Sequence, residues 1–160
     1  ADGILLLSLI SGRNADLLIG NHVQAAPLLK QSKLQIISTG YMLIESGTPT
    51  TVSYISNTQP IPANKPEIAA CTALAGEQLG LKTIYLEAGS GAQNAVSTTT
   101  IKAVKKTISI PLIVGGGIRS AAQIETAFNA GADIVVIGTA IENNVNFLEE
   151  LKNIKKIKII

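Results

Sequence analysis

The sequence predicts an α/β protein built on a parallel sheet, and three observations lead to this class. Five short apolar runs alternate with five segments of helical pattern along 160 residues. Strands that alternate with helices form parallel sheets with right-handed crossovers. The last three apolar runs each open directly into small or glycine-rich residues, as strands do at a shared pocket. One domain, residues 1–160, is the expectation for this length.

Composition excludes several classes of protein. The chain is 46% hydrophobic and 15% charged, which indicates a folded core rather than disorder. A net charge of +2 and only two Phe, three Tyr and no Trp argue against a nucleic-acid partner. The single cysteine, Cys71, excludes an internal disulfide and favours the reducing cytoplasm. We expect Cys71 to pack in the core.

The predicted strands cover residues 3–9, 34–44, 82–87, 111–114 and 133–137. The first is apolar throughout, which is typical of a parallel strand buried on both faces. A helix is expected over residues 16–31, with a kink at Pro27. Gly40 marks a possible bulge in the second strand, and residues 51–55 predict a short extended segment.

The third crossover contains the best-marked helix. Asn64 is the expected N-cap, Pro66 falls in the first turn, and Gly80 ends the helix. The spacing predicts an apolar stripe that consists of Ile68, Cys71, Ala75 and Leu79.

Three further helices follow the same logic. A helix over residues 97–107 directs Ile101, Val104 and Ile108 inward. Ser120 caps the next helix with Gln123, and Gly131 ends it. The last helix is expected over residues 143–153, with Phe147, Leu148 and Leu151 inward. The tail, 154–160, alternates apolar and basic residues, which favours a surface-packed end over a membrane contact.

Two glycine-rich strand ends predict a phosphate site. They are Gly115–Gly117, ahead of the Ser120-capped helix, and Gly138–Thr139 one unit later. Glycine lets an anion approach unpaired backbone N–H groups, and many barrels bind phosphate at such successive loops. The alternative is that these glycines serve tight turns only.

Glu87 ends the preceding strand and is the candidate base. It is either a solvated carboxylate or an acceptor for a hydroxyl of a small phosphorylated ligand, with Tyr85 as a positioning donor. Arg119 faces either phosphate or an exposed ion pair. We expect Asp133 to satisfy turn backbone, and His22, the one histidine, to be structural.

Several of these segments together resemble the geranylgeranylglyceryl phosphate synthase family of phosphate-binding TIM barrels. The specific motif is the octapeptide Tyr85–Ala92, YLEAGSGA. The stretches Ile113–Ser120 and Gly138–Asn143 support it. Weaker support comes from four further stretches: Ser11–Asn14, Gly20–His22, Gly40–Tyr41 and Gln59–Pro66.

The resemblance implies a Mg²⁺-dependent prenyltransferase that joins sn-glycerol 1-phosphate to a polyprenyl (geranylgeranyl) diphosphate in ether-lipid biosynthesis, releasing pyrophosphate. Glu87 would be the catalytic base, and Tyr41 would border the prenyl groove. The substrate-binding residues implied are Tyr85, Leu86, Glu87, Ala88, Gly89, Ser90, Gly91, Gly116, Gly117, Gly138 and Thr139.

The resemblance also implies that this chain is about the last five βα units of a (β/α)8 barrel, starting at the fourth strand. The Mg²⁺ ligands are then expected outside this chain, so the chain is either a fragment of a longer protein or inactive alone. A homo-oligomer is expected, with peripheral membrane contact through the lipid substrate. Two alternatives stay open: another sugar-phosphate barrel enzyme, or a partial barrel that binds phosphate or self-associates without turnover.

Overall fold

The fold is a parallel five-stranded sheet whose strands are connected by helices. The computed structural model describes residues 1–151 and 154. The strands pair in chain order: β1 (Gly3–Leu9), β2 (Gln35–Leu43), β3 (Thr83–Glu87), β4 (Leu112–Gly115) and β5 (Ile134–Val136). Every neighbouring pair is parallel, so all five carboxyl ends meet at one edge of the sheet. The predicted α/β class is confirmed.

The helices mostly connect successive strands. They are α1 (Asn21–Ser32), α2 (Thr51–Ser56), α3 (Pro66–Gln78), α4 (Thr98–Thr107), α5 (Ala121–Ala130), α6 (Thr139–Asn143) and α7 (Phe147–Leu151). A π-helical turn, Asp16–Gly20, leads into α1. Ser97 and Ser120 accept hydrogen bonds from the N–H groups three residues later, which fixes where α4 and α5 begin.

The core lies between the outer face of the middle strands and helices α3 to α5. Fully buried side chains alternate along β2, β3 and β4 on this face: Met42, Ile84, Leu86, Leu112 and Val114. Ile101, Val104 and Ile108 pack against them, as predicted. Because this packing fixes the middle strands from outside, their inner face is left to line a cavity.

The expectation that β1 is buried on both faces is wrong for the described chain. Ile4, Leu5 and Leu7 are 37–40% exposed. Among the described residues β1 has one neighbouring strand, β2, so one of its edges is unpaired. An apolar sequence predicts that a strand is buried but does not identify the element that buries it.

Gly40 does not form a bulge. The register runs unbroken through it, with Ser8 opposite on β1 and Ile84 opposite on β3. A Cβ at this position would lie 2.8 Å from Cδ1 of Ile10 and 3.0 Å from Cδ1 of Leu81. Glycine therefore makes room for the ends of the side chains packed around it.

Residues 51–55 form helix α2 rather than an extended segment. The Ser53 N–H donates to the Thr50 hydroxyl, and the Thr50 N–H donates to the Ser53 hydroxyl, at 3.4 and 3.0 Å. This reciprocal capping box satisfies two backbone donors and nucleates the turn. The β-branched composition favours extension, and the local capping box overrides that preference.

Helix α3 has the predicted length, but a different face is buried. Its buried residues are Ala69, Ala70, Ala73 and Gly76. Cys71 is exposed and Leu79 is 83% exposed, so the predicted stripe and the predicted burial of Cys71 are both wrong. Small residues on the inner face let the helix approach the sheet closely. The N-cap position is Lys65 rather than Asn64.

The helix predicted over residues 143–153 begins only at Phe147, as α7, and a separate short helix, α6, precedes it. Asn144 adopts an extended conformation between α6 and α7 and interrupts the helical hydrogen bonding. Phe147 and Leu151 are buried as expected, whereas Leu148 is 41% exposed. The expectations for residues 152, 153 and 155–160 lie outside the described residues.

Candidate active site at the carboxyl ends of the strands

A cavity of about 640 Å³ lies where the strands end. The structure brings eight of the eleven predicted substrate-binding residues to its walls: Tyr85, Glu87, Ser90, Gly91, Gly116, Gly117, Gly138 and Thr139. These come from the ends of β3, β4 and β5, which pair side by side. The parallel topology is what gathers residues more than fifty positions apart into one site.

The other three predicted residues lie behind this wall. Leu86 is fully buried in the core, because strand alternation directs it away from Tyr85 and Glu87. Ala88 is 2% exposed in the same cluster. Gly89 donates its N–H to Glu87 Oε1 at 2.7 Å, so it contacts the carboxylate rather than the cavity.

Glu87 is a buried carboxylate held at the cavity wall. Its side chain accepts hydrogen bonds from the Gly89 N–H and from the Tyr85 hydroxyl. Burial, and then the charge and hydrogen bond of Glu87, raise the pKa of Tyr85 well above its ordinary value of 10. The Tyr85 hydroxyl therefore stays protonated and donates to the carboxylate. This pair fixes the orientation of Glu87.

A second tyrosine continues the same wall. Tyr41 lies opposite Tyr85 in the parallel register, and the two rings meet edge to face with centroids 5.2 Å apart. Burial, and then the charge of Glu87, raise the pKa of Tyr41 as well. Two protonated phenols therefore neighbour the carboxylate on the apolar side of the cavity.

The glycines at the end of β4 and directly after it leave room for the carboxylate and for a ligand. A Cβ at Gly115 would lie 2.6 Å from the Tyr85 hydroxyl oxygen. Gly116 has a φ of 82°, and a Cβ there would strike Glu87 Oε1 and lie 2.6 Å from the Gly89 nitrogen. The N–H groups of Gly116 and Gly117 donate to no described residue. They are free to bind an anion in the cavity.

The other sequence candidates lie in structural contacts. Arg119 donates to the main-chain carbonyls of Ala92 and Gln93, at 2.5 and 3.1 Å, rather than forming an ion pair. His22 Nε2 lies 2.8 Å from the Leu7 carbonyl oxygen, a structural contact as expected. Asp133 accepts from the Leu112 N–H at 2.8 Å and from Lys105, far from the cavity.

Sequence reasoning missed the wall that α2 contributes. Thr51, Val52 and Ile55 line the cavity opposite Glu87's strand. The spacing of Thr50 and Ser53 could have revealed this helix, although the second residue of a capping box is usually Glu or Gln. The missed helix adds Val52 and Ile55 to the apolar part of the cavity.

The charge in the cavity is sparse. Of the described residues that line it, Glu87 and Arg119 are the charged ones. In the described part of the chain, no group of three His, Cys, Asp or Glu side chains is placed to hold a metal ion. None of the helices described is long and apolar enough to cross a membrane.

Comparison with known proteins decides the family. The sequence matches the PcrB family over residues 1–158. The chain belongs to the PcrB family. Among curated relatives, the geranylgeranylglyceryl phosphate synthase of Spirosoma linguale is 59% identical over 154 residues, and that of Pyrococcus furiosus is 43% identical over 158 residues. The resemblance inferred from YLEAGSGA is thereby confirmed.

Solved structures of PcrB-family relatives confirm the barrel fold. A crystal structure of the (S)-3-O-geranylgeranylglyceryl phosphate synthase of Thermoplasma acidophilum, in complex with its substrate sn-glycerol 1-phosphate, superposes with a TM-score of 0.89 at 35% identity. It matches 96% of this chain and 62% of its own. The chain likewise spans 62% of the length of the Spirosoma linguale and Pyrococcus furiosus synthases. These two matches cover 96% and 99% of the chain, respectively. The solved geranylgeranylglyceryl phosphate synthases that the chain matches are TIM-barrel enzymes. This chain therefore has the fold of consecutive βα units of such a barrel.

Proposed function

We propose that the protein joins sn-glycerol 1-phosphate to a polyprenyl diphosphate and releases pyrophosphate. The observation that carries the proposal is the buried Glu87 carboxylate, fixed beside the unpaired backbone amides of Gly116 and Gly117 in one cavity. That arrangement suits a small molecule with a phosphate at one end and hydroxyls at the other. The names of the relatives supply the acceptor and the donor class.

The proposed chemistry follows from the position of Glu87. Backbone N–H groups of Gly116, Gly117, Gly138 and Thr139 bind the phosphate of the acceptor. Glu87 accepts the proton of the acceptor's primary hydroxyl. The hydroxyl oxygen forms a bond to C1 of the prenyl group while the bond from C1 to the diphosphate oxygen breaks. Pyrophosphate leaves with the electron pair, and an ether remains.

The apolar wall suits the prenyl chain. Leu7 and Leu9 from β1 and Val52 and Ile55 from α2 line the same cavity as Tyr41 and Glu87. Burial of a hydrocarbon chain against such side chains contributes about 0.8 kcal/mol per CH₂ group. The length of the chain would be set by how far this wall extends.

Mg²⁺ is part of the proposal only as the partner of the diphosphate. In the part of the chain described, Glu87 is the carboxylate at the cavity, and Tyr85 and Gly89 already bond to it. A single engaged carboxylate does not make a magnesium site, because Mg²⁺ prefers several free oxygen ligands. The ligands of Mg²⁺ therefore lie, in this proposal, outside the described residues. A homo-oligomer in the cytoplasm that contacts the membrane through its lipid substrate completes the proposal.

Purified protein tests the assignment directly. The complete gene product, whatever it encodes beyond this chain, is incubated with sn-glycerol 1-phosphate, Mg²⁺ and labelled geranylgeranyl diphosphate. We expect an acid-stable labelled ether and an equal amount of pyrophosphate, both lost when EDTA is added. Absence of the ether with prenyl diphosphates of several lengths would overturn the assignment, and phosphate binding without turnover would favour a binding module.

A further inference from the structure

Arg119 ties together the two loops that carry the candidate phosphate and hydroxyl subsites. It follows β4 and the triple glycine, yet its side chain reaches the loop after β3. There its guanidinium donates to the carbonyls of Gly91, Ala92 and Gln93, at 3.4, 2.5 and 3.1 Å. The 2.5 and 3.1 Å bonds span two adjacent carbonyls and use the fork geometry of arginine.

The segment held in this way is the wall of the site. Ser90 and Gly91 line the cavity directly before the carbonyls that Arg119 binds. On the far side, Asn94 donates to the Ser46 carbonyl through its main-chain N–H and its Nδ2, both at 3.2 Å. The loop is therefore anchored at Asn94 towards β2 and at Ala92 and Gln93 towards β4.

The backbone of Arg119 is itself held by hydrogen bonds. The Arg119 N–H donates to Gln123 Oε1 at 2.7 Å, and the Ser120 hydroxyl accepts the Gln123 N–H. Arg119 is thus held by the first turn of α5, whose Ile124 and Ala127 are buried. A side chain on a rigid helix start fixes a loop better than loop residues alone do.

The charge of Arg119 has no carboxylate partner in the described part of the chain, since its partners are neutral carbonyls. Simple charge pairing therefore does not explain its position. The carbonyl contacts do, because they set the direction of the Gly91 and Ala92 peptide groups.

We propose that Arg119 is a positioning residue for the acceptor subsite: it holds residues 90–93 in the conformation that receives glycerol phosphate, beside Glu87. This inference rests on the proposed function for its substrate. It assigns Arg119 no proton transfer and no bond making. Its contribution is preorganisation, which appears as acceptor affinity rather than as chemistry at saturation.

The test compares Arg119→Met and Arg119→Lys with Arg13→Met in the complete protein. Arg13, the other arginine among these 160 residues, lies outside the cavity at Glu87. We expect Arg119→Met to raise KM for glycerol 1-phosphate at least about tenfold, because it removes charge-assisted hydrogen bonds. KM for the prenyl diphosphate and kcat should change less than about twofold. Arg119→Lys should recover part of the affinity, and Arg13→Met should behave as wild type.

Hydrogen exchange supplies the readout that does not depend on turnover. Amides of residues 89–94 should exchange faster in Arg119→Met, while those of β3 and α4 stay protected. A raised KM without faster exchange in this loop would overturn positioning in favour of direct phosphate binding. Unchanged KM and exchange would also overturn it. If wild type shows no turnover, the proposed function fails, and loop exchange still decides whether Arg119 holds the loop. If amides throughout the chain lose protection in Arg119→Met, the same kinetic and exchange measurements on Arg119→Lys decide whether Arg119 positions the loop.

Discussion

At the scale of single residues, the site is a charged group kept buried by its neighbours. Glu87 is 7% exposed, and burial of an unpaired carboxylate would be strongly unfavourable. Hydrogen bonds from the Gly89 N–H and the Tyr85 hydroxyl offset that cost. The same bonds orient the carboxylate, so stability and function depend on the same few atoms.

Glu87→Gln should remove activity and keep the fold. Glutamine can still accept the Gly89 N–H bond but cannot take a proton, so kcat should fall about 10²- to 10⁴-fold. Steady-state kinetics and urea denaturation of the same preparations measure both effects. Glu45→Gln is the matched control, since Glu45 binds the Ala63 N–H outside this cavity. Unchanged turnover in Glu87→Gln would remove the residue from the role of base.

Tyr85→Phe should change how stability depends on alkaline pH. The pKa of Tyr85 is raised in the folded state, so above pH 10 the folded chain binds more protons than the unfolded chain. The free energy of unfolding therefore falls as pH rises, by at most about 1.4 kcal/mol per pH unit for this group. Between pH 10 and 11 the variant should lose stability less steeply than wild type.

Urea denaturation between pH 6 and 11 checks this prediction. From pH 6 to 8 the phenol is protonated in both states, so the slopes of wild type and variant should coincide and serve as the internal control. Identical slopes above pH 10 would contradict the burial argument for Tyr85.

Gly116→Ala should be destabilising beyond the cost of its backbone angle. Gly80 has a similar φ of 90° with no atom within 4 Å of an added Cβ, whereas a Cβ at Gly116 meets Glu87 and the Ala88 nitrogen. Gly80→Ala therefore measures the left-handed strain alone. We expect Gly116→Ala to lower the free energy of unfolding by about 1–3 kcal/mol more than Gly80→Ala does. Equal losses would show that the loop can relax.

At the scale of elements, α2 decides the character of the cavity. It is six residues long, too short to be stable alone, and depends on the capping box at Thr50 and on its setting. Val52 lines the cavity, Ser53 and Tyr54 line a second groove, and Ile55 borders both. One short helix thus separates the apolar site from the surface.

Val52→Asp should weaken binding of the prenyl substrate, because Val52 is half-buried and lines the cavity at Glu87 but not the second groove. A carboxylate on this wall would have to be desolvated beside the hydrocarbon chain, so KM for the prenyl diphosphate should rise about tenfold or more, with KM for glycerol 1-phosphate little changed. Tyr54→Asp, on the same helix but facing the other groove, is the control for lost helix stability. Equal effects of the two variants would mean that α2 does not contact the prenyl chain.

At the scale of the whole molecule, the sheet exposes apolar strands at both margins. Ile4, Leu5 and Leu7 of β1 and Ile134 and Val136 of β5 are each 37–48% exposed. Unpaired strands with apolar faces promote association with other chains. The middle of the sheet, in contrast, is covered by three helices.

The 160-residue chain expressed alone should therefore self-associate. Light scattering coupled to size exclusion should show a mass that rises with concentration, and Leu5→Lys should reduce that mass. Leu79→Lys adds the same charge on α3, where the residue is 83% exposed and lies away from the sheet edge. A monodisperse monomer of the wild-type chain at all concentrations would refute the edge argument.

Local sequence determined the strands, the capped helices α4 and α5, and the family. Apolar runs followed by small or glycine-rich residues predicted the bounds of β3, β4 and β5 to within two residues, because strand composition and turn residues are local signals. YLEAGSGA determined the resemblance and with it Glu87 and its loop. The roles of the site residues remain predictions.

Tertiary structure alone decided what each element touches. The buried face of α3 and the exposure of β1 depend on residues distant in sequence, which periodicity does not contain. The hydrogen bonds from the Arg119 guanidinium to the carbonyls of Ala92 and Gln93 join positions more than 25 residues apart. Such contacts exist only once parallel pairing has brought the ends of β3 and β4 together, which is why the sequence named the residues of the site but not their arrangement.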